Sequence, residues 1–305
     1  MPILDLSGSS SGVADGTVNA LVLDTQRHLN GVRRAEITKL TTTVTSDAGS
    51  LVLTYSPAGV RTGALLAVDD ELVYVWAYNT GTLTATVERG YAGSTAAAHT
   101  AGALIEVEPT YPRAHIIRAL RDEILSWGSS LYQIATTTLA ASATTRTISL
   151  PAANVIKVLD VWRAAPSGTT APRRVAYRFL RDQDTTLYPG GTAISLDAAV
   201  DSGTDLFVTY AAPYTITTFD STTSLDAIGL SDNVLDIPPL GAAYRLVTTG
   251  EVHRNDTQAH GQSRNAEDVP AFAIARVGTV LKQLRDQRLQ EETNRLSQKY
   301  AWRWS

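Results

Sequence analysis

The chain has 305 residues, of which 44% are hydrophobic and 18% are charged, with a formal net charge of −4 and no cysteine. The lack of cysteine excludes disulfides, thiolate metal sites and cysteine nucleophiles. The weak acidity offers no basic surface of the kind that wraps duplex DNA, and no segment has the pattern of a signal peptide or a membrane-spanning helix. We expect synthesis in the cytoplasm, no membrane contact and only transient contact with DNA.

A first helix is predicted within residues 1–34. Apolar side chains recur there at helical spacing, Thr17 can cap the helix, and Asn30-Gly31 can end it. The residues that share this spacing are Val18, Leu21, Val22, Thr25 and Leu29.

Residues 35–110 are predicted to form a small β-module, because they are rich in Thr and Val and contain regularly spaced turn signals. The alternation is clearest on both sides of the turn at Asn79-Thr80-Gly81 and predicts a β-hairpin. Before the turn, one side of the strand has Val73, Val75 and Ala77 and the other has Tyr74, Trp76 and Tyr78; after it, Leu83, Ala85 and Val87 alternate with polar residues.

The same module contains a Gly- and Ala-rich motif that starts in the hairpin. From Glu71 it runs E-x-x-x-V, a short turn, then T-L-T-x-x-x-x-RG-x-x-GSTAAAH-x-AGA. This pattern resembles a small β-domain that recurs in structural proteins of tailed bacteriophages, usually in neck and tail components. The resemblance covers a small part of the chain, and it implies a virion context without implying a chemistry.

A helix is predicted over residues 111–134, and a larger β-module over 135–218. Pro112 suits the first turn of the helix, and Arg118, Arg121, Asp122 and Glu123 are expected on its polar side. The expected apolar face consists of Ile117, Leu120, Ile124, Trp127 and Leu131. The following segments alternate again between Pro- and Gly-containing turns, so the module is expected to be inserted between two helices.

Residues 219–299 are predicted to contain further helices. One opens at Asp236-Ile237-Pro238-Pro239, with Leu240, Ala243, Tyr244 and Val247 on one face. The polar stretch from His253 to Asp268 is expected to be a loop. A long helix is then predicted from about Asp268 to Gln298.

The apolar pattern of this long helix has two parts. Val277, Val280, Leu281 and Leu284 share one face and are expected to pack on the helix's own bundle. Leu289, Leu296 and Tyr300 lie on a stripe rotated from it. The second half, which is rich in charge, could contact a neighbouring chain. The alternative is a gently curved helix that keeps both stripes on one core.

The order of these elements resembles the head-to-tail adaptors of tailed phages. The likeness rests on RALRDEILSWGSSLY at 118–132, NVLDIPPLGAAYRL at 233–246, and AEDVPAFAIARV with LRDQRLQEETNRL near the end. The resemblance implies an α+β fold: a helical bundle with a long C-terminal helix, decorated by two antiparallel β-modules. It also implies a ring, usually of twelve copies, at the neck of the virion. The ring would bind the portal protein and a further neck or tail protein around a DNA channel.

Partner-binding residues are expected near the C-terminus. Two tryptophans in the aromatic tail 300–305 would lie on one side of an extended segment, and Trp and Arg are frequent interface hot spots. They could bind a partner or fold back on the bundle. The candidates are Arg288, Arg295, Tyr300, Trp302, Arg303 and Trp304.

The adaptor interpretation has two rivals. One is another neck or tail completion protein; the other is a carbohydrate-binding or hydrolytic tail component, which as an enzyme would need paired carboxylates in a cleft.

No pattern favours catalysis, so no enzyme activity, cofactor or metal is expected. His253 and His260 lie seven residues apart, which is not a recognised metal spacing. Asp69-Asp70-Glu71 is expected to form a turn with side chains bonded to nearby backbone. His99 is expected in a loop, satisfied by backbone groups. The pairs Arg33-Arg34 and Arg173-Arg174 could touch DNA phosphates but are more typical of a solvated surface.

Overall fold

The computed structural model describes residues 16–29, 36–140, 146–150, 154–163, 172–198, 200, 204–259 and 273–299. The chain divides into two compact units. The first is formed by residues up to Ile124 together with Ile216–Ala227 and Ser231–Arg288. The second is formed by Leu125–Thr215, Ile228–Leu230 and the residues from Leu289 onward.

Helices and strands alternate along the described residues. The α-helices are α1 (Val18–Leu29), α2 (Arg113–Ser126), α3 (Leu225–Ile228), α4 (Ile237–Ala259) and α5 (Ala273–Lys299). The strands are β1 (Glu36–Lys39), β2 (Ser50–Val52), β3 (Leu65–Val68), β4 (Glu71–Asn79), β5 (Thr84–Glu88), β6 (Leu104–Val107), β7 (Gln133–Ala140), β8 (Thr147–Ser149), β9 (Lys157–Arg163), β10 (Arg173–Arg174), β11 (Tyr177–Leu180), β12 (Ala193–Leu196) and β13 (Asp205–Ala212).

The first unit contains a six-stranded antiparallel sheet in the order β1-β6-β3-β4-β5-β2. The sheet curls back on itself, because the amide of Thr41 donates to the Val52 carbonyl at 2.8 Å and the amide of Thr54 donates to the Lys39 carbonyl at 2.9 Å. These bonds join the end of β1 to β2 and make a partly closed barrel. Its interior is filled by the alternate apolar residues of the strands, including Leu51, Leu66, Val73, Val75, Ala85, Val87, Ile105 and Val107.

The hairpin β4–β5 is confirmed, but the predicted alternation breaks in the middle of β4. The pairing register shifts between Val75 and Ala77, which places a β-bulge at Trp76. A bulge adds one residue to one strand and reverses the in-and-out pattern beyond it. Ala77 is therefore exposed and Tyr78 packs against the core, opposite to the sequence prediction.

The second unit is built on two antiparallel sheets. One has the order β10-β9-β13-β7 and the other has the order β11-β12-β8. Apolar residues from both sheets share one core, since the alternating pattern of strands such as β13 turns every second side chain inward. That core contains Leu150, Val155, Val161, Ile194, Leu196, Val200, Leu206, Val208, Tyr210 and Ala212.

The predicted helices are present with some changes in extent. α1 buries Val18, Leu21, Val22 and Thr25, as expected from their spacing. α4 begins at Ile237, with two prolines in its first turn, where their missing amide hydrogens cost nothing. It continues to Ala259, so the expectation of a loop from His253 is wrong for residues 253–259. The predicted start of the last helix, Asp268, lies outside the described residues.

The expected fold class, an α+β helical bundle decorated by two β-modules, is wrong. Among the residues that the structure describes, three antiparallel sheets form the framework, and the helices do not form a bundle. The barrel and the paired sheets each enclose a core of their own. Because these sheets bury their own apolar faces, they do not need a bundle to pack against.

Candidate functional site

The Gly- and Ala-rich motif surrounds a buried carboxylate at the start of β4. The side chain of Glu71 is only 1% exposed. Arg89 donates to its two oxygens, from Nε to Oε1 and from Nη2 to Oε2, both at 2.8 Å. The ring nitrogen Nε2 of His99 lies 2.8 Å from Oε2. These three residues, Glu71, Arg89 and His99, are named the Glu71 cluster.

Backbone groups of the motif complete the Glu71 cluster. The amides of Gly90 and Ala97 donate to the Glu71 carboxylate at 2.9 and 3.1 Å. Gly90 has a φ of 62°, a left-handed conformation that favours glycine, and a Cβ there would press against the carbonyl of Ser94. The glutamate, arginine, glycine and histidine of the motif therefore hold one loop against the barrel.

This arrangement leaves the cluster no group for acid–base chemistry. Glu71 accepts five hydrogen bonds, and the second ring nitrogen of His99 lies 2.9 Å from Asp69 Oδ2. Burial alone would raise the pKa of Glu71, but the hydrogen bonds from Arg89, His99, Ala97 and Gly90 lower it below its ordinary value. The carboxylate stays charged and fully bonded, as in a structural ion pair.

Two sequence predictions about this region need correction. His99 is buried and bonded to side-chain carboxylates, whereas backbone partners were expected for its ring. Asp69 and Asp70 form the predicted turn, but their side chains bond mainly to distant groups. Asp70 accepts hydrogen bonds from Arg113 Nε at 3.0 Å and from the Ser221 amide at 3.2 Å.

A second buried carboxylate joins three helices. Glu123 was expected on the polar side of α2, yet its residue is 2% exposed. It accepts hydrogen bonds from Arg245 Nε of α4 at 2.9 Å and from Arg285 Nε of α5 at 2.7 Å. Glu123, Arg245 and Arg285 are named the Glu123 cluster. A Cβ on Gly241 of α4 would overlap the Glu123 carboxyl group, so the glycine allows this close approach.

Sequence reasoning missed the Glu123 cluster because its members are far apart in the chain. One signal was present: Gly241 lies between the good helix formers Leu240 and Ala242, and a glycine inside a helix often has a packing reason.

In the first half of α5, most of the apolar residues that were predicted to face inward face solvent. Of the four apolar residues expected to pack inward, only Leu281 is buried. Val277, Val280 and Leu284 are 50%, 54% and 46% exposed. The inward side of α5 has Leu281 together with the charged Arg285 and Glu292. Val277, Val280 and Leu284 are named the α5 stripe.

The predicted partner-binding residues lie at the end of α5 and beyond it. Arg288 donates to Asp236 Oδ2 at 2.6 Å, and Arg295 donates to Glu292 Oε2 at 2.6 Å. A partner would have to share or replace these bonds. Tyr300, Trp302, Arg303 and Trp304 lie outside the described residues, and their role stays a prediction.

Other candidate sites are also placed by the structure. Arg174 is paired with Asp160 at 2.8 Å and stacks on the ring of Trp162. Arg33-Arg34 and His260 lie outside the described residues. Within the part of the chain that the structure describes, no group of three His, Asp or Glu side chains is arranged to hold a metal ion. None of the described helices is both long enough and apolar enough to cross a membrane.

Comparison with known proteins gives little further information. No family model matches the chain, and no curated protein matches it. One similar solved structure is a chain described as "Virion of native gene transfer agent (GTA) particle". It is 14% identical, the alignment covers 55% of this chain and 75% of that chain, and the TM-score is 0.22. That chain comes from a virion. A TM-score this low supports no inference about fold or function.

Proposed function

We propose that the chain is a structural protein of a phage-like virion, and more specifically a head-to-tail adaptor that assembles into a ring. The observation that supports this best is the exposed α5 stripe. Three half-exposed aliphatic side chains at a spacing of three and four residues form the kind of seam along which helices pack. Contiguous exposed apolar residues mark protein contacts.

Ion pairs hold the α5 stripe outward. The stripe positions each precede an inward position by one residue, so the two sets lie about 100° apart around the helix. Turning the stripe inward would pull Arg285 away from Glu123 and Arg288 away from Asp236. The orientation of α5 is therefore set by specific charge partners within the chain.

The size of the α5 stripe suits a contact that is repeated by symmetry. Burying three half-exposed aliphatic side chains contributes about 1 kcal/mol each. Such a contact is too weak to hold two copies together alone, because association itself costs several kcal/mol. In a closed ring every copy makes the contact twice, and closure adds stability that an isolated pair lacks.

The other partners follow from the resemblance to adaptors. The ring would surround a channel for transient contact with packaged DNA, and it would join the portal protein to a further neck or tail protein. Portal binding is assigned to the C-terminal residues Arg288, Arg295, Tyr300, Trp302, Arg303 and Trp304. The work of such a protein is mechanical coupling, without a reaction or a cofactor of its own.

Electron microscopy and light scattering of the purified chain, alone and mixed with the portal, test the proposal. Wild-type protein should form rings or collars. The triple variant Val277→Ser, Val280→Ser, Leu284→Ser should stay folded and fail to form rings. Leu187→Ser is the matched control, since Leu187 is 71% exposed and lies outside the stripe; it should assemble like the wild type.

Three results would overturn the ring contact: a wild-type protein that stays monomeric with the portal present, a triple variant that stays folded and still forms rings, or a triple variant that unfolds. The last result would mean that the chain buries the stripe itself. Deleting residues 300–305 tests portal docking separately, because the truncated chain should still form rings but no longer bind the portal.

A further inference from the structure

The geometry of the barrel points to a binding site that is independent of ring assembly. We propose that the outward side of the β4–β5 hairpin, built on Tyr74, Trp76 and Glu88, binds a neutral carbohydrate. This surface is named the hairpin face. The proposal does not rest on the adaptor function, since a structural virion protein can also carry a surface that adheres to sugars.

Trp76 is the centre of the hairpin face. Its residue is 57% exposed, although indole is among the largest apolar side chains. The β-bulge between Val75 and Ala77 is located at this position. The alternation of β4 points Trp76 outward, on the same side as Tyr74, and the bulge reverses the pattern from Ala77 onward. The exposed indole is thus followed along the strand by a small exposed residue, Ala77.

The indole packs on the first of two stacked tyrosines. The ring centroids of Tyr74 and Trp76 are 4.8 Å apart at an interplanar angle of 75°. Tyr74 also stacks on Tyr91, with centroids 5.2 Å apart. Tyr91 starts a 3-10 turn whose following residue, Ser94, accepts a hydrogen bond from the Leu72 amide at 2.9 Å. The rings of Tyr74, Trp76 and Tyr91, named the aromatic corner, are therefore anchored to the barrel. A ligand that binds them would restrict few additional side-chain rotamers.

Polar side chains suited to sugar hydroxyls lie beside the rings. Glu88 is the cross-strand neighbour of Tyr74, and Thr86 is the neighbour of Ala77. Glu88 and Thr86 are exposed. A pyranose ring has an apolar C–H face that can stack on indole and an edge of hydroxyls that can bond to a carboxylate and a threonine hydroxyl. Apolar surface with a few convergent polar groups is the usual composition of a small-molecule site.

Charge favours a neutral ligand over an anionic one. The charged side chain on β5 that is paired in register with Tyr74 is the carboxylate of Glu88. A guanidinium near the corner, that of Arg118, donates to the Ala92 carbonyl at 2.8 Å. Single-stranded nucleic acid also stacks on aromatic side chains, but its binding needs a positive groove along the phosphates. The hairpin face has a carboxylate where such a groove would need a cation.

Titration of the full-length chain with maltohexaose, chitohexaose and laminarihexaose tests the site. Binding is measured by tryptophan fluorescence and by saturation-transfer NMR. At least one of these sugars should bind saturably at up to about 10 mM. Trp76→Ala should weaken binding by about tenfold or more, and Glu88→Gln by about threefold. Trp76→Phe should retain part of the affinity, because it keeps an aromatic face.

Leu187→Ser and the triple variant of the α5 stripe are the controls, and both should bind the sugar like the wild type. Unchanged thermal unfolding of Trp76→Ala will show that the hairpin is intact. The proposal is overturned if none of the three sugars binds, or if Trp76→Ala binds as well as the wild type. It is also overturned if Trp76→Ala abolishes ring or portal assembly while sugar binding is absent, since the hairpin face would then be a protein contact.

Discussion

The Glu71 cluster and the Glu123 cluster each neutralise a buried carboxylate, but they take its partners from different distances along the chain. Both hold a buried carboxylate with guanidinium partners inside the first unit. Glu71 finds its side-chain partners 18 and 28 residues along the chain, within one motif. Glu123 finds its partners 122 and 162 residues away, on two other helices. The first pins a loop to a barrel, and the second ties three helices together.

The two clusters also differ in how well water is excluded. Around Glu71, the side chains of Arg89 and His99 are 7% and 2% exposed. Around Glu123, those of Arg245 and Arg285 are 39% and 20% exposed. Solvent screens the second set of charges more, so each of its ion pairs should contribute less. The difference in exposure therefore predicts that replacing Glu71 lowers the free energy of unfolding more than replacing Glu123 does.

Replacing Glu71 should have the largest effect on stability. Glu71→Ala leaves Arg89 and His99 buried without their shared acceptor and removes the acceptor of two backbone amides. Breaking a buried ion pair in this way costs about 3–5 kcal/mol. Urea unfolding measures it, with Glu88→Ala as the control, because Glu88 is an exposed glutamate of the neighbouring strand. A loss below about 1 kcal/mol would contradict the structural role of the cluster.

Replacing Glu123 should cost less than replacing Glu71. Glu123→Ala leaves two arginines that can turn partly toward solvent, so we expect a loss of about 2–3 kcal/mol in the free energy of unfolding. The matched control is Asp122→Ala, an exposed acidic residue one position earlier on α2. If the loss equals that of Glu71→Ala, then exposure of the partners does not decide the ranking.

Substituting Gly241 tests how tightly the Glu123 cluster is packed. Gly241→Ala places a methyl group against the Glu123 carboxyl and should cost about 1–3 kcal/mol, as overpacking usually does. In a Glu123→Ala background the same change should be neutral or slightly stabilising, because alanine has the better helix propensity. A double-mutant cycle measures the coupling, and additive effects would mean that the two residues do not touch.

Lowering the pH should reduce the contribution of the Glu71 carboxylate to the free energy of unfolding. Its folded-state pKa lies below the ordinary glutamate value, so the carboxylate stabilises the fold above the unfolded-state pKa. This stabilisation is lost as the pH falls through the lower, folded-state pKa. The difference in unfolding free energy between wild type and Glu71→Ala should be constant near neutral pH and narrow in acid. A difference that widens as the pH falls would contradict a lowered folded-state pKa for Glu71.

The smallest effect on the monomer is expected from the α5 stripe. Val277→Ser or Val280→Ser should change the free energy of unfolding by about 0.5 kcal/mol or less, because both side chains are half exposed. Leu281→Ala, at the buried neighbouring position, should cost about 2–5 kcal/mol. Thermal or urea unfolding of dilute protein compares the two. Equal losses would show that the stripe is buried within the chain.

Predictions from sequence were accurate where a regular pattern decides the structure. The buried face of α1, the start of α4 at its prolines and the β4–β5 hairpin all follow from periodicity and turn chemistry. Prediction failed beyond Trp76, because the extra residue of the bulge shifts the period of β4 and exchanges the sides of Ala77 and Tyr78. It also failed at Glu123 and on α5, where charged side chains face inward and aliphatic ones face solvent.

The amino-acid sequence by itself determined the local elements of this protein, because helical and strand periods are properties of neighbouring residues. It also placed every member of the Glu71 cluster in one motif, although it left their contacts open. The tertiary structure alone decided that Glu123 is buried and which face of α5 lies inward. A buried glutamate can be recognised only when arginines from distant helices are brought to it, and those same ion pairs leave the apolar stripe of α5 in solvent.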